Sequence, residues 1–200
     1  VYFIDNMVAT VKVFYDFGGT DGNPATQQDT SSLGPPNLRF KTNDNATIDN
    51  ADPIPIPASG NIDSYWKQVY LKCTGGTFTQ IDNVKFYTDG SGFGTGITTN
   101  VGDQLPTHNS GSNAGYEVAT GSAGASGTEM VGAHAGLNAK SDAFGKTSGS
   151  PLAVTISEAG GLINASGEST NYLVFQMNVA SNAGPGNLSD ETWTFQYDEI

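Results

Sequence analysis

Asn171-Tyr172-Leu173-Val174-Phe175-Gln176-Met177-Asn178-Val179-Ala180 decides the fold class. Leu173, Phe175, Met177 and Val179 alternate with Tyr172, Val174, Gln176 and Asn178. Successive side chains of a strand point to opposite faces, so this period of two gathers four large apolar groups on one side. A helix would scatter the same residues around its axis. The pattern predicts a half-buried antiparallel strand.

The same alternation recurs outward from it. Trp193, Phe195 and Tyr197 oppose Thr192, Thr194 and Gln196. From Met7 to Phe17, Met7, Ala9, Val11, Val13, Tyr15 and Phe17 share a face. Between Trp66 and Thr74, Val69, Leu71 and Cys73 oppose Gln68, Tyr70 and Lys72. Val84 with Phe86, and Leu152 with Val154 and Ile156, make shorter strands. Asp21-Gly22 and Asp89-Gly90 are tight-turn pairs. Pro53, Pro55 and Pro57 alternate with Ile54 and Ile56, which predicts an extended stretch at a sheet edge or outside it, because proline has no N–H to donate. Together these features predict an all-β, antiparallel β-sandwich, jelly-roll-like, with long Gly/Ser/Asn-rich loops.

Residues 102–150 are Gly-, Ser-, Ala- and Asn-rich, with Tyr116 and Phe144 as their only aromatics. They hold too little apolar surface for a core of their own, so they read as loops with short strands near Tyr116–Thr120 and Thr128–Val131. The organisation expected is an apolar leading segment, 1–6, and a single sandwich domain, 7–200, with 102–150 as its loop-rich region.

Composition narrows the function classes. Of 200 residues 26 are Gly and 9 are Pro, which disfavours long helices. The net charge is −12 and the single arginine is Arg39, so a nucleic-acid partner is not expected. No run of 18 apolar residues exists to form a helical membrane span. The one cysteine, Cys73, excludes an internal disulfide and alternates with core positions. The chain starts with Val rather than Met, which fits a removed leader and export.

Catalytic patterns are weak. His108 and His134 are the only histidines, and Gly124-Ala125-Ser126-Gly127 falls short of a G-x-S-x-G elbow. Gly145-Lys146-Thr147 lacks the glycine a phosphate loop needs at position 140. The chain is read as a non-enzyme. Zinc is not expected without a His/Cys cluster, whereas loop carboxylates make Ca²⁺ the candidate ion, with Asp16, Asp21 and Asp89 as candidate ligands. Asn45-Ala46-Thr47, Asn164-Ala165-Ser166 and Asn187-Leu188-Ser189 are N-glycosylation sequons, so covalent glycans at Asn45, Asn164 and Asn187 are expected if the protein is exported. Trp66, Tyr70, Tyr87, Tyr172, Trp193 and Tyr197 form a candidate sugar-stacking platform.

Val1, Tyr2, Phe3 and Ile4 stand before the first long strand. Such an apolar segment must be sheltered, either in its own sheet or in that of a neighbour. Burying each large side chain contributes roughly 1.5–3 kcal/mol, against about 1–2 kcal/mol to order each residue. Insertion into a neighbour is therefore affordable, with Val1, Tyr2, Phe3, Ile4, Met7 and Val8 as the donor strand. A head-to-tail contact of this kind does not close and generates a filament.

The stretch Asn61-Ile62-Asp63-Ser64-Tyr65-Trp66-Lys67-Gln68-Val69-Tyr70-Leu71-Lys72, followed by Ile81-Asp82-Asn83-Val84-Lys85-Phe86-Tyr87-Thr88-Asp89-Gly90, resembles secreted jelly-roll surface proteins of archaea and related prokaryotes. The apolar start before a Gly/Asn/Thr-rich sandwich is similar to extracellular filament subunits that polymerise by donor-strand complementation. The resemblance implies an exported, glycosylated fibre subunit at the cell surface whose partner is itself, with Ca²⁺ as a ligand. It carries over no catalytic residue. A carbohydrate-binding module and a viral capsid-type jelly roll are the alternatives.

Overall fold

The computed structural model describes residues 8–33 and 38–200. The chain is all-β, with 41% of residues in strands and 7% in helix. Among the described residues twelve strands follow in order: β1 (Ala9–Thr20), β2 (Asn23–Asp29), β3 (Asn61–Asp63), β4 (Lys67–Gly76), β5 (Ile81–Thr88), β6 (Ile97–Gly102), β7 (Gly121–Ser122), β8 (Ser126–Gly127), β9 (Lys140–Asp142), β10 (Leu152–Ala153), β11 (Leu173–Ala180) and β12 (Trp193–Glu199). The large sheet runs β2-β1-β4-β11-β3-β8-β7, with β6 pairing both β11 and β9. The small sheet runs β10-β5-β12. Every strand pair is antiparallel.

Local chemistry accounts for these elements. Asp21-Gly22 closes the β1–β2 hairpin with Thr20 opposite Asn23, and Gly22 takes the positive φ of +70° that such a turn requires. Opposite Thr10 and Val11 of β1, β4 carries an extra residue, a bulge that bends this edge of the sheet. The proline-rich 53–57 stretch joins no strand, as its missing N–H groups require. Gly127 fits only because it has no side chain: a Cβ there would meet the Ser64 carbonyl at 2.0 Å.

The core divides at β4 and β11. On one side, Tyr15, Val69, Leu71, Cys73, Leu173 and Phe175 of the large sheet meet Ile81, Val84 and Phe86 of the small one. This is the apolar face foretold by the alternation. On the other side, Trp66, Tyr70, Tyr172 and Val174 pack against Tyr116, Met130 and Leu137. The face expected to be solvated is thus buried, and its cover is the 102–150 region.

That region departs from its expected strands. Tyr116–Thr120 and Thr128–Val131 are not strands; the hairpin β7–β8 lies between them. Side-chain amides do the docking instead. Gln176 Nε2 donates to the Ser64 and Thr128 carbonyls, 2.7 Å each, while its Oε1 accepts from Met130 N at 2.9 Å. Gln68 Nε2 donates to the Glu117 carbonyl at 2.6 Å and its Oε1 accepts from Glu117 N at 3.1 Å. Trp66 Nε1 donates to the same carbonyl at 3.1 Å. The two glutamines anchor the covering loops by side-chain pairing, while β7, β8 and β9 of the same region add to the sheet through β3 and β6.

Candidate functional site

A groove of about 980 Å³ lies between the two sheets. Its floor comes from the large sheet: Val13 on β1, Val69 on β4, and Phe175, Met177 and Val179 on β11. Its other wall is aromatic: Phe86 on β5, with Trp193 and Phe195 on β12. Ring centroids lie 4.6 Å apart for Phe175 and Trp193 and 5.0 Å for Phe86 and Phe175. Leu38, Phe40, Ile54 and the 183–192 connection form the rim. The volume is at the upper end of ligand-sized pockets, about 300–1,000 Å³.

An open backbone edge borders this groove. Among the described residues β12 pairs with β5 alone and is an edge of the small sheet. Trp193 adds a polar atom, since its buried Nε1 has no hydrogen-bond partner among the described residues. Apolar walls beside an unpaired strand can accept an extended segment by strand addition.

The ends of the sandwich differ. At one end β1 starts opposite Gly76, and Ala9 N donates to Glu199 Oε1 at 2.8 Å. Val8 is exposed there, at 60%. The groove extends from Val13 towards the other end, where Ile97 faces Val179 across the β6–β11 ladder and Trp193 starts β12. β1 therefore starts at the end of the sandwich opposite the Trp193 and Ile97 part of the groove.

The other expected site residues are scattered. Val1, Tyr2, Phe3, Ile4 and Met7 lie outside the described residues. Asp16 is buried on β1, where its Oδ2 accepts from the Tyr172 hydroxyl at 2.6 Å and Gln27 Nε2 at 3.3 Å. Asp21 accepts from Val118 N at 3.1 Å, and Asp89, beyond β5, accepts from Ser91 N at 2.8 Å. No group of three or more His, Cys, Asp or Glu able to hold a metal ion forms among the described residues. Asn164 and Asn187 are exposed, while half-buried Asn45 accepts through Oδ1 from Thr47 N and Lys41 Nζ. Trp66, Tyr70 and Tyr172 of the candidate platform are buried under the 102–150 region, at 2%, 0% and 0% exposure, so they cannot stack on a sugar. Sequence reasoning missed the rim residues Leu38 and Phe40, which belong to no strand pattern, and read Ile54 only as part of a proline-rich extended stretch.

The histidines do not form a catalytic centre. His108 Nδ1 lies 2.9 Å from the Thr170 carbonyl and 3.0 Å from Ser169 Oγ. A carbonyl oxygen only accepts, so Nδ1 carries the proton and cannot draw one from Ser169. His134 Nε2 likewise faces Gln68 Oε1 at 2.8 Å, whose amide nitrogen is committed to Glu117. Burial holds both imidazoles below their usual pKa.

A buried relay links β1, β4 and the 43–45 loop. Lys67 Nζ donates to the Tyr15 hydroxyl at 2.8 Å, and that hydroxyl donates to Asp44 Oδ1 at 2.8 Å. Burial lowers the Lys67 pKa to about 8. Between about pH 8 and the unfolded value near 10.5, the unfolded chain binds the extra proton, so this group makes stability rise with pH. The expected result is a higher urea midpoint at pH 9.5 than at pH 7.5 relative to Lys67→Met. A constant difference between the two proteins would contradict the assignment.

No family model, curated protein or solved structure matches this chain.

Proposed function

We propose that this protein is the structural subunit of an extracellular filament or pilus that assembles head-to-tail, the segment Val1–Ile4 of one copy entering the groove of the next. The observation that carries the reading is the apolar groove beside β12, whose outer edge pairs with no described strand. Val1-Tyr2-Phe3-Ile4 is apolar throughout, so as an extended segment it can turn one face to the aromatic wall and its backbone groups to β12. The polarity agrees, because β1 starts at the end of the sandwich away from the Trp193 and Ile97 part of the groove. Its own groove is then a poorer target than a neighbour's, and the contact propagates. Exposed Asn164 and Asn187 lie on loops and suit glycans on the fibre surface. The chemistry is association rather than catalysis. Negative-stain microscopy of native material is expected to show fibres of uniform width; uniformly dispersed single subunits would overturn the reading.

A further inference from the structure

A second cavity, of about 570 Å³, opens on the opposite side of the large sheet from the groove. It is walled by Gln27 on β2, Lys72 on β4, the 108–114 loop and Ser169. Its lining is polar, and no Asp or Glu is among the described residues that form it. No aromatic ring lines it either, apart from the imidazole of His108.

The free hydrogen-bonding groups define what fits. Lys72 forms no ion pair among the described residues, its Nζ lying 5.3 Å from the Phe14 ring centroid. Gln27 Nε2 is shared by Asp16 Oδ2 and Asn113 Oδ1, which leaves Gln27 Oε1 as an acceptor. With Nδ1 of His108 donating to Thr170, its Nε2 is the ring's acceptor; it lies against the Asn113 side chain, so a ligand hydroxyl there takes the place of that contact. Behind this wall the buried Asp16 carboxylate and Tyr70 hydroxyl face each other, and the Tyr70 ring lies 4.1 Å from that of His108.

Backbone N–H groups that could cradle a phosphate are already used. Ser110 N and Ser169 N donate to Glu158 Oε1, at 2.6 and 3.0 Å, and Gly111 N donates to Asn109 Oδ1 at 2.9 Å. One ammonium with no arginine and no N–H nest suits a single negative charge better than a phosphate dianion. The neutral acceptors suit hydroxyl groups. Without an aromatic platform, a neutral sugar would lack stacking.

We infer that this cavity binds a monosaccharide-sized hydroxylated carboxylate, an acidic sugar unit, with its carboxylate on Lys72 and its hydroxyls on Gln27 Oε1 and His108 Nε2. The site is independent of the groove and of assembly. Titration of the protein with glucuronate, glucose and inorganic phosphate, followed by NMR of the His108 ring and by calorimetry, tests it. Glucuronate is expected to bind saturably and at least tenfold more tightly than glucose or phosphate. Lys72→Met is expected to lose at least tenfold in that affinity, and Lys72→Arg, which keeps the charge, to retain most of it. Unchanged NMR spectra outside the pocket establish that both variants are folded. No saturable glucuronate binding, equal binding of glucose, tighter binding of phosphate, or full affinity in Lys72→Met would each overturn the proposal.

Discussion

Deleting residues 1–6 is expected to abolish assembly while leaving a folded, soluble monomer. The first strand starts at Ala9, so the deletion spares every described hydrogen bond of β1. Removal of Val1–Ile4 takes away four apolar side chains, each contributing roughly 1.5–3 kcal/mol when buried. Within one subunit the urea midpoint should stay within the equivalent of about 0.5 kcal/mol, the usual range for changes away from the core. Sedimentation and microscopy supply the assembly readout. A truncated chain that still forms fibres would show that these residues are not the donor. One that unfolds would place them in the sheet of their own subunit.

Phe175→Ala should have the largest effect on the fold. Phe175 is fully buried on β11, and its ring stands between Phe86 and Trp193, so it joins the two sheets. Truncating a buried phenylalanine costs about 3–5 kcal/mol, a large part of the 5–15 kcal/mol that holds a typical domain together. The measurement is the shift of the urea midpoint at unchanged m-value. Phe175→Leu should cost much less because it keeps most of the volume, yet it reshapes the groove floor and should weaken assembly. A loss below about 1 kcal/mol in Phe175→Ala would mean that the sheets do not share this core.

The alternating segments made much of the fold legible. β1, β4, β5, β11 and β12 all carry apolar residues at a period of two, and Asp21-Gly22 marks the first hairpin. β2 was invisible because Asn23-Pro24-Ala25-Thr26-Gln27-Gln28-Asp29 has no apolar face; it is held as an edge by backbone pairing to β1. β6, Ile97-Thr98-Thr99-Asn100-Val101-Gly102, is masked in the same way by its polar residues. The second core was hidden for a different reason. Gln68 and Gln176 occupy positions that read as solvent-facing, but their amides bind the backbone of the covering loops. Tyr116, Met130 and Leu137 sit too far apart in the sequence to show a period. Buried amides that satisfy loop backbone look the same in a sequence as exposed ones.

The groove was only half legible. Phe86, Trp193 and Phe195 were visible as apolar strand faces. A groove, however, is set by where pairing stops, and the side of β12 that no described strand pairs leaves no mark in its residues. The acidic candidates failed to converge because Asp and Asn serve the turns and the buried network individually.

The most direct measurement of strand insertion is a cross-link in a mixed polymer. Leu188, on the groove rim and 37% exposed, can be replaced by the photoreactive amino acid p-benzoylphenylalanine. Equal amounts of normal and ¹⁵N-labelled subunits are assembled, irradiated and digested with trypsin, which releases the leading peptide after Lys12. The account predicts cross-links from position 188 to residues 1–4, with heavy and light halves mixed as often as matched. Cross-links that join only halves of the same label, or that miss this peptide, would contradict it.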